Sequence, residues 1–131
     1  MGVGKMVPSA LKYTTEHEWV KVEGKRVTVG ITAYAQKELG DVVYVELPAV
    51  GEKVKSKASM GSIESVKAVS DVCAPLSGEI IEVNDDLQFN PELVNQDPYG
   101  KGWIAVIEMA DPDELKDLLS AEAYQKLTGE E

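Results

Sequence analysis

Lys67 is the residue whose surroundings point most directly to chemistry. Two runs with rough apolar/polar alternation, residues 61–66 and 68–73, meet at it. That pattern predicts a β-hairpin with the lysine at its tip, pointing into water. No Asn-Gly or Asp-Gly pair marks the turn. The spacing supports it instead: Gly51 lies sixteen residues before Lys67 and Gly78 eleven after it, each where a chain can turn beside a strand. The neighbours Glu64, Ser65, Val66 and Ala68 include only small or aliphatic residues next to the lysine, so an enzyme joining a group to the amine through an amide would not be crowded. Taken alone, an exposed lysine at a turn is a solvated charge.

Other chemistry is thinly represented. His17, the single histidine, stands beside Glu18 but has no nucleophile paired with it by any motif, so a structural or surface role is expected. Cys73 is the single cysteine, which excludes a disulfide framework and a cysteine metal cluster; at an apolar strand position it reads as a small core residue. No metal site is expected, and the N-terminal Gly-Val-Gly-Lys falls short of a phosphate loop.

The elements that must position the lysine are mostly strands. Residues 1–10 read as a flexible lead. Residues 19–22 and 26–31 alternate around a turn at Glu23-Gly24-Lys25, with Val27, Val29 and Ile31 on one face. Thr32 is placed to cap a short helix over 33–39 that Gly40 ends. Residues 41–47 form the strongest strand pattern, with Val43, Val45 and Leu47 on one side, Val42 and Tyr44 on the other, and both faces expected to be covered. A turn-rich link over 49–57 leads to the hairpin, and strands are expected over 79–83 and 103–109. Asn90-Pro91-Glu92 can start a short helix. Asp111-Pro112-Asp113-Glu114 starts another, with Leu115, Leu118 and Leu119 at helical spacing, and a last helix over 121–127 ends at Gly129. Trp19 and Trp103 are expected in the core or at its rim. The whole predicts a mostly β, antiparallel sandwich or flattened barrel with short helices at its ends, the C-terminal ones over 111–128.

One domain fits 131 residues, 44% of them hydrophobic and 27% charged. A net charge of -10 disfavours nucleic acid and anionic membranes and suits partners with basic docking surfaces, or serves solubility alone. No apolar run approaches a bilayer span, and the start lacks a signal-peptide core, so a cytoplasmic location is expected.

Glycines at those offsets around Glu64-Ser65-Val66-Lys67-Ala68 make the chain resemble a lipoyl-attachment domain, a barrel-sandwich hybrid. It is more narrowly similar to the H proteins of the glycine cleavage system. The likeness runs from Tyr13 to about Leu127 and includes Glu16-His17-Glu18-Trp19-Val20, Gly30-Ile31-Thr32, Val45-Glu46-Leu47-Pro48, Pro98-Tyr99, Gly102-Trp103 and Pro112-Asp113-Glu114-Leu115. The resemblance implies a non-catalytic carrier, expected as a monomer, with lipoate bound covalently to Lys67. The arm would take an aminomethyl group from a pyridoxal-phosphate glycine decarboxylase (P protein) and deliver it to a tetrahydrofolate-dependent aminomethyltransferase (T protein). A flavin dihydrolipoyl dehydrogenase (L protein) would then reoxidise it. A lipoate ligase, or a lipoyl or octanoyl transferase, would attach the cofactor. Glu18 and Asp71 match positions near the loaded arm and are the carboxylates that would hold the aminomethyl cation, against a plain reading as solvated acids. Glu16 departs from the small hydroxyl residue often found there in relatives.

Rival readings remain. A biotin carrier typically places methionines on both sides of its lysine, where Val66 and Ala68 stand here. A lipoyl domain of a 2-oxo acid dehydrogenase typically reads Asp-Lys-Ala and lacks the Glu-His-Glu-Trp entry. An H-like protein could relay lipoate without serving glycine cleavage. A small hydrolase built on His17 and Glu18 finds no supporting motif.

Overall fold

The computed structural model describes residues 7–129. Strands β1 (Lys12–Tyr13), β2 (Glu18–Glu23), β3 (Arg26–Ile31), β9 (Ala105–Met109), β8 (Gly78–Val83) and β5 (Lys53–Val54) form, in that order, a six-stranded sheet. Strands β4 (Val42–Glu46), β6 (Ser59–Ser65) and β7 (Val69–Cys73) form a three-stranded one. All pairings are antiparallel. Period-two alternation sends Val20, Val27, Val29, Ile31, Ile63, Val72, Ile80 and Ile107 into one core shared by the two sheets. The expected mostly β sandwich is the observed architecture. Among the described residues no helix is long and apolar enough to cross a membrane.

A second, smaller cluster joins Val7, Tyr13, Trp19 and Tyr124. Here the indole of Trp19 lies over Gly30, its register partner, where an added Cβ would stand 2.6 Å from the ring. The cluster also anchors part of the lead expected to be flexible: Val7 is buried and Pro8 accepts a hydrogen bond from the Tyr13 hydroxyl, while residues 1–6 lie outside the described residues.

Four expectations need correction. The strand over 41–47 is not covered on both faces. A register shift between Val42 and Tyr44 puts Val42 and Val45 together inside and leaves Val43 and Tyr44 each half exposed. The link over 49–57 contains β5. Asn90 caps nothing with its side chain: α2 (Leu93–Gln96) begins after Glu92 without a side-chain cap, and Asn84 is the asparagine that caps, at the 3₁₀ helix Asp85–Gln88. Beyond Asp111 the chain makes a 3₁₀ helix, Pro112–Asp117, rather than an α-helix, and Leu119 turns outward from it to bridge Tyr13 in extended form. Helices α1 (Ala33–Leu39) and α3 (Ala121–Thr128) form as expected, capped by Thr32 and Ser120.

Candidate functional site

The hairpin tip is held by hydrogen bonds within residues 65–68 and by one from outside them. The Ser65 backbone N–H donates to the Ala68 carbonyl at 2.8 Å. The Ser65 hydroxyl accepts from Lys67 N–H at 3.3 Å and Ala68 N–H at 3.1 Å and reaches the Ala68 carbonyl at 3.2 Å. Ser65 thus replaces the turn residues that the sequence lacks. Val66 N–H donates to Asp41 O at 3.0 Å, which ties the tip to the chain just after α1.

Lys67 is exposed, and the ion pairs among the described residues, Lys21 with Glu23 and Arg26 with Glu82, do not involve it. Its aliphatic stem crosses the end of α1 at Gly40: a Cβ there would stand 3.5 Å from the lysine Cε. Gly40 also has a φ of 83°, a second reason for glycine. Asn95 braces this corner, donating to the Gly40 carbonyl and the Gln36 side chain and accepting from Val42 N–H at 2.8 Å.

Beside the hairpin opens a cleft of about 320 Å³. One wall is α1, through Tyr34, Ala35, Glu38 and Leu39; another is β7, through Ser70, Asp71 and Val72; Glu16, His17 and Glu18 line a third side, with Ile31 and Ile63 also facing it. Apolar surface with a few carboxylates suits a hydrocarbon arm that ends in a cation.

Glu18 is not a solvated acid. It is buried, with Oε1 accepting from the Thr14 hydroxyl at 2.6 Å and Oε2 from Cys73 N–H at 3.2 Å. It therefore spans from the start of β2 to the end of β7. Burial pushes its carboxyl up to about 7, against the opposing pull of the Thr14 and Cys73 bonds. Near neutral pH it is poised between acid and carboxylate, and a cation entering the cleft favours the carboxylate.

Asp71 lines the same cleft but is exposed. Its register row, Glu46–Ser62–Asp71, projects from the opposite face of the three-stranded sheet to Ile63 and Ser70. It reaches the cleft because β7 is an edge strand. Glu64 is exposed and pairs in register with Tyr44 and Val69, so it sits on that outer face.

His17 has the structural role expected. Its Nδ1 lies 2.7 Å from the Tyr124 hydroxyl, its ring packs against Tyr34 at 4.8 Å, and burial lowers its pKa against the opposing pull of Glu16 and Glu38. Trp19 is buried and donates to Pro98 O at 2.8 Å, while Trp103 packs at the edge of the small cluster.

Cys73 departs from its expected core position. Val72 takes the core site, and Cys73 lies half-buried beside a second cavity of about 660 Å³ that Thr14, Glu16 and Glu18 also line. Burial and the neighbouring Glu18 push its thiol pKa up, away from the reactive thiolate.

Among the described residues no group of three or more His, Cys, Asp or Glu is placed to hold a metal ion. Thr14, Asn95 and the clasping role of Ser65 were not singled out from the sequence. Thr14 carries a capping-type hydroxyl before Glu18, which is a signal; Asn95 sits in the most irregular stretch and carries none.

A lipoyl group fits this arrangement. The amine is exposed on a braced turn, and the cleft beside the hairpin mixes apolar side chains with carboxylates, one of them buried.

Residues 11–131 match the family model described as glycine cleavage H-protein. The chain belongs to that family. It is 54% identical over 124 residues to the glycine cleavage system H protein of Staphylococcus haemolyticus, covering 95% of this chain and 98% of that protein. It is 50% identical over 125 residues to the H protein of Bacillus subtilis, with the same coverage. A crystal structure of a glycine cleavage system H protein from Mycobacterium marinum superposes with a TM-score of 0.87 at 40% identity, covering 94% of this chain and 99% of that one. Family membership implies a carrier role with lipoate as its group.

Proposed function

We propose that this chain is the lipoyl carrier of glycine cleavage, with the cofactor on Lys67, and that it is itself non-catalytic. The observation that supports this best is the exposed Lys67 amine on a turn clasped by Ser65, its stem laid over Gly40, the residue after Leu39 of the Glu18 cleft. The lipoyl dithiolane, when bound, supplies thiol–disulfide chemistry and a tether that raises the effective concentration of cargo at each client.

The chain's own residues do the rest. Ser65, Val66 and Asp41 O hold the attachment turn rigid for the ligase or transferase. Leu39, Ile63 and Val72 shelter the arm from water. Glu18 carboxylate, with Asp71 at the rim, holds the cargo's protonated amine, and the Thr14 and Cys73 donors orient Glu18 for it. The clients in this reading are a glycine decarboxylase, an aminomethyltransferase and a dihydrolipoyl dehydrogenase, encountered in the cytoplasm by a monomer.

The test is mass spectrometry of the chain made with a lipoate ligase and lipoate, followed by glycine-dependent carbon dioxide exchange with a glycine decarboxylase. A lipoyl adduct on Lys67 and exchange, both lost in Lys67→Arg, are expected. An adduct on another lysine would overturn the assignment. A lipoylated chain that supports no exchange would favour a relay of lipoate to other enzymes.

A further inference from the structure

We propose that Tyr124, on the C-terminal helix α3, is a positioning residue for the arm cleft. Its hydroxyl couples the His17 turn to the capped start of α1 and so fixes two of the cleft's sides relative to each other. This rests on the carrier reading, since the cleft is taken to shelter the loaded arm.

Tyr124 is fully buried, and its Oη lies 2.7 Å from His17 Nδ1 and 2.7 Å from Thr32 Oγ1. Each contact leads to a different side of the cleft. His17 lines it directly, between Glu16 and Glu18. Thr32 is the N-cap of α1, its side chain accepting from Ala35 N–H at 3.2 Å, and α1 carries Tyr34, Ala35, Glu38 and Leu39 along the cleft. Whichever way the protons run, the tyrosine oxygen donates to one neighbour and accepts from the other, a pairing that a phenylalanine cannot make.

The His17 turn has reason to need such a hold. His17 has a φ of 73°, a backbone conformation that a non-glycine residue keeps only where its surroundings impose it. Within the turn, Thr14 accepts from His17 N–H at 3.1 Å through its carbonyl and from Glu16 and Glu18 N–H through its hydroxyl; from outside it come the Tyr124 hydroxyl, the Tyr34 ring and the hydrogen bond from Thr32 N–H to the His17 carbonyl at 3.1 Å. Glu18 follows immediately, so a turn that relaxes moves the carboxylate that the arm would meet.

The hydroxyl can be removed without removing the packing. The Tyr124 ring stacks on Tyr13 with centroids 4.7 Å apart and planes 12° from parallel, a contact that Tyr124→Phe retains. Tyr13→Phe is the matched control: it deletes a hydroxyl in the same cluster whose bond runs to Pro8 O instead of the cleft.

The experiment uses the full chain in two forms. In the unlipoylated protein, ¹⁵N NMR follows the His17 ring and the amides of Ala35 and Glu38; these should shift in Tyr124→Phe and stay in place in Tyr13→Phe. In protein lipoylated and then loaded from glycine by a glycine decarboxylase, spontaneous loss of the amine should be about fivefold faster in Tyr124→Phe than in wild type or Tyr13→Phe, the size expected for one buried hydrogen bond. The extent of lipoylation should be unchanged. Unmoved His17 and α1 resonances overturn the inference, as does loss less than about twofold faster in Tyr124→Phe or equally accelerated in Tyr13→Phe. The NMR arm needs no lipoyl group, so a chain that is never lipoylated defeats the carrier reading and leaves this inference to be decided by the resonances.

Discussion

At the hairpin tip, the Ser65 hydroxyl and N–H hold the turn, Asp41 O takes the Val66 N–H, and the lysine is left to solvent. In the cleft, the Glu18 carboxylate is held by Thr14 on one oxygen and Cys73, from the other sheet, on the second. The tip is short-range and exposed. The Glu18 site is assembled from distant segments and buried, and its acid–base behaviour is changed by that burial. Attachment needs reach, which a turn supplies alone; holding a cation out of water needs desolvation, which only packed sheets supply.

The sharpest way to break this contrast is through Glu18. Glu18→Ala should speed loss of amine from loaded protein by about tenfold, the scale of a charge-assisted hydrogen bond, while leaving lipoylation intact. The same residue makes a stability prediction with a definite sign. Its native value of about 7 exceeds the ordinary 4.5, so the native state holds the proton more tightly than the unfolded chain does. That contribution is complete below pH 4.5 and is lost as pH rises through 7, amounting to about 3 kcal/mol over the full shift. In urea unfolding, Glu18→Gln, which cannot ionise, should therefore gain on wild type by up to that amount between pH 4.5 and about pH 8. A stability difference independent of pH would show an ordinary carboxylate there.

Ser65→Ala tests the other region. Losing the clasping hydroxyl should cost about 1–2 kcal/mol and slow lipoylation about threefold, with loss of amine from already loaded protein unchanged. A variant modified at the wild-type rate would show that the ligase does not need the turn held. The smallest effect belongs to Asp71→Ala. An exposed rim acid is screened by water, so loss of amine should rise by less than about twofold. An effect as large as that of Glu18→Ala would erase the distinction between buried and exposed carboxylates.

How much of this was legible beforehand follows the same division. The hairpin, the Thr32 and Gly40 caps on α1 and the inward face of β3 are written in neighbouring residues, because strand period and capping act over a few positions. The uncovered outer face of β4 was not legible, since a bulge that moves one residue changes which side is inside without changing the apolar count. Nor was the 3₁₀ form of Pro112–Asp117: Leu119 fits a helical stripe equally well, and its bridge to Tyr13 decided the matter. Glu18 and Asp71 were picked as a pair, yet nothing along the chain distinguishes the buried acid from the exposed one.

The amino-acid order by itself determined that a lysine would stand at the apex of a strand reversal between small neighbours, because hydrophobic alternation and turn spacing are short-range properties. Only the tertiary structure decided that Glu18 would lose its water, that the Lys67 stem would lie across Gly40, and that one tyrosine hydroxyl near the C-terminus would meet both His17 and Thr32. Those depend on which segments the two sheets bring within hydrogen-bonding distance, and desolvation is a property of that enclosure rather than of any residue in it.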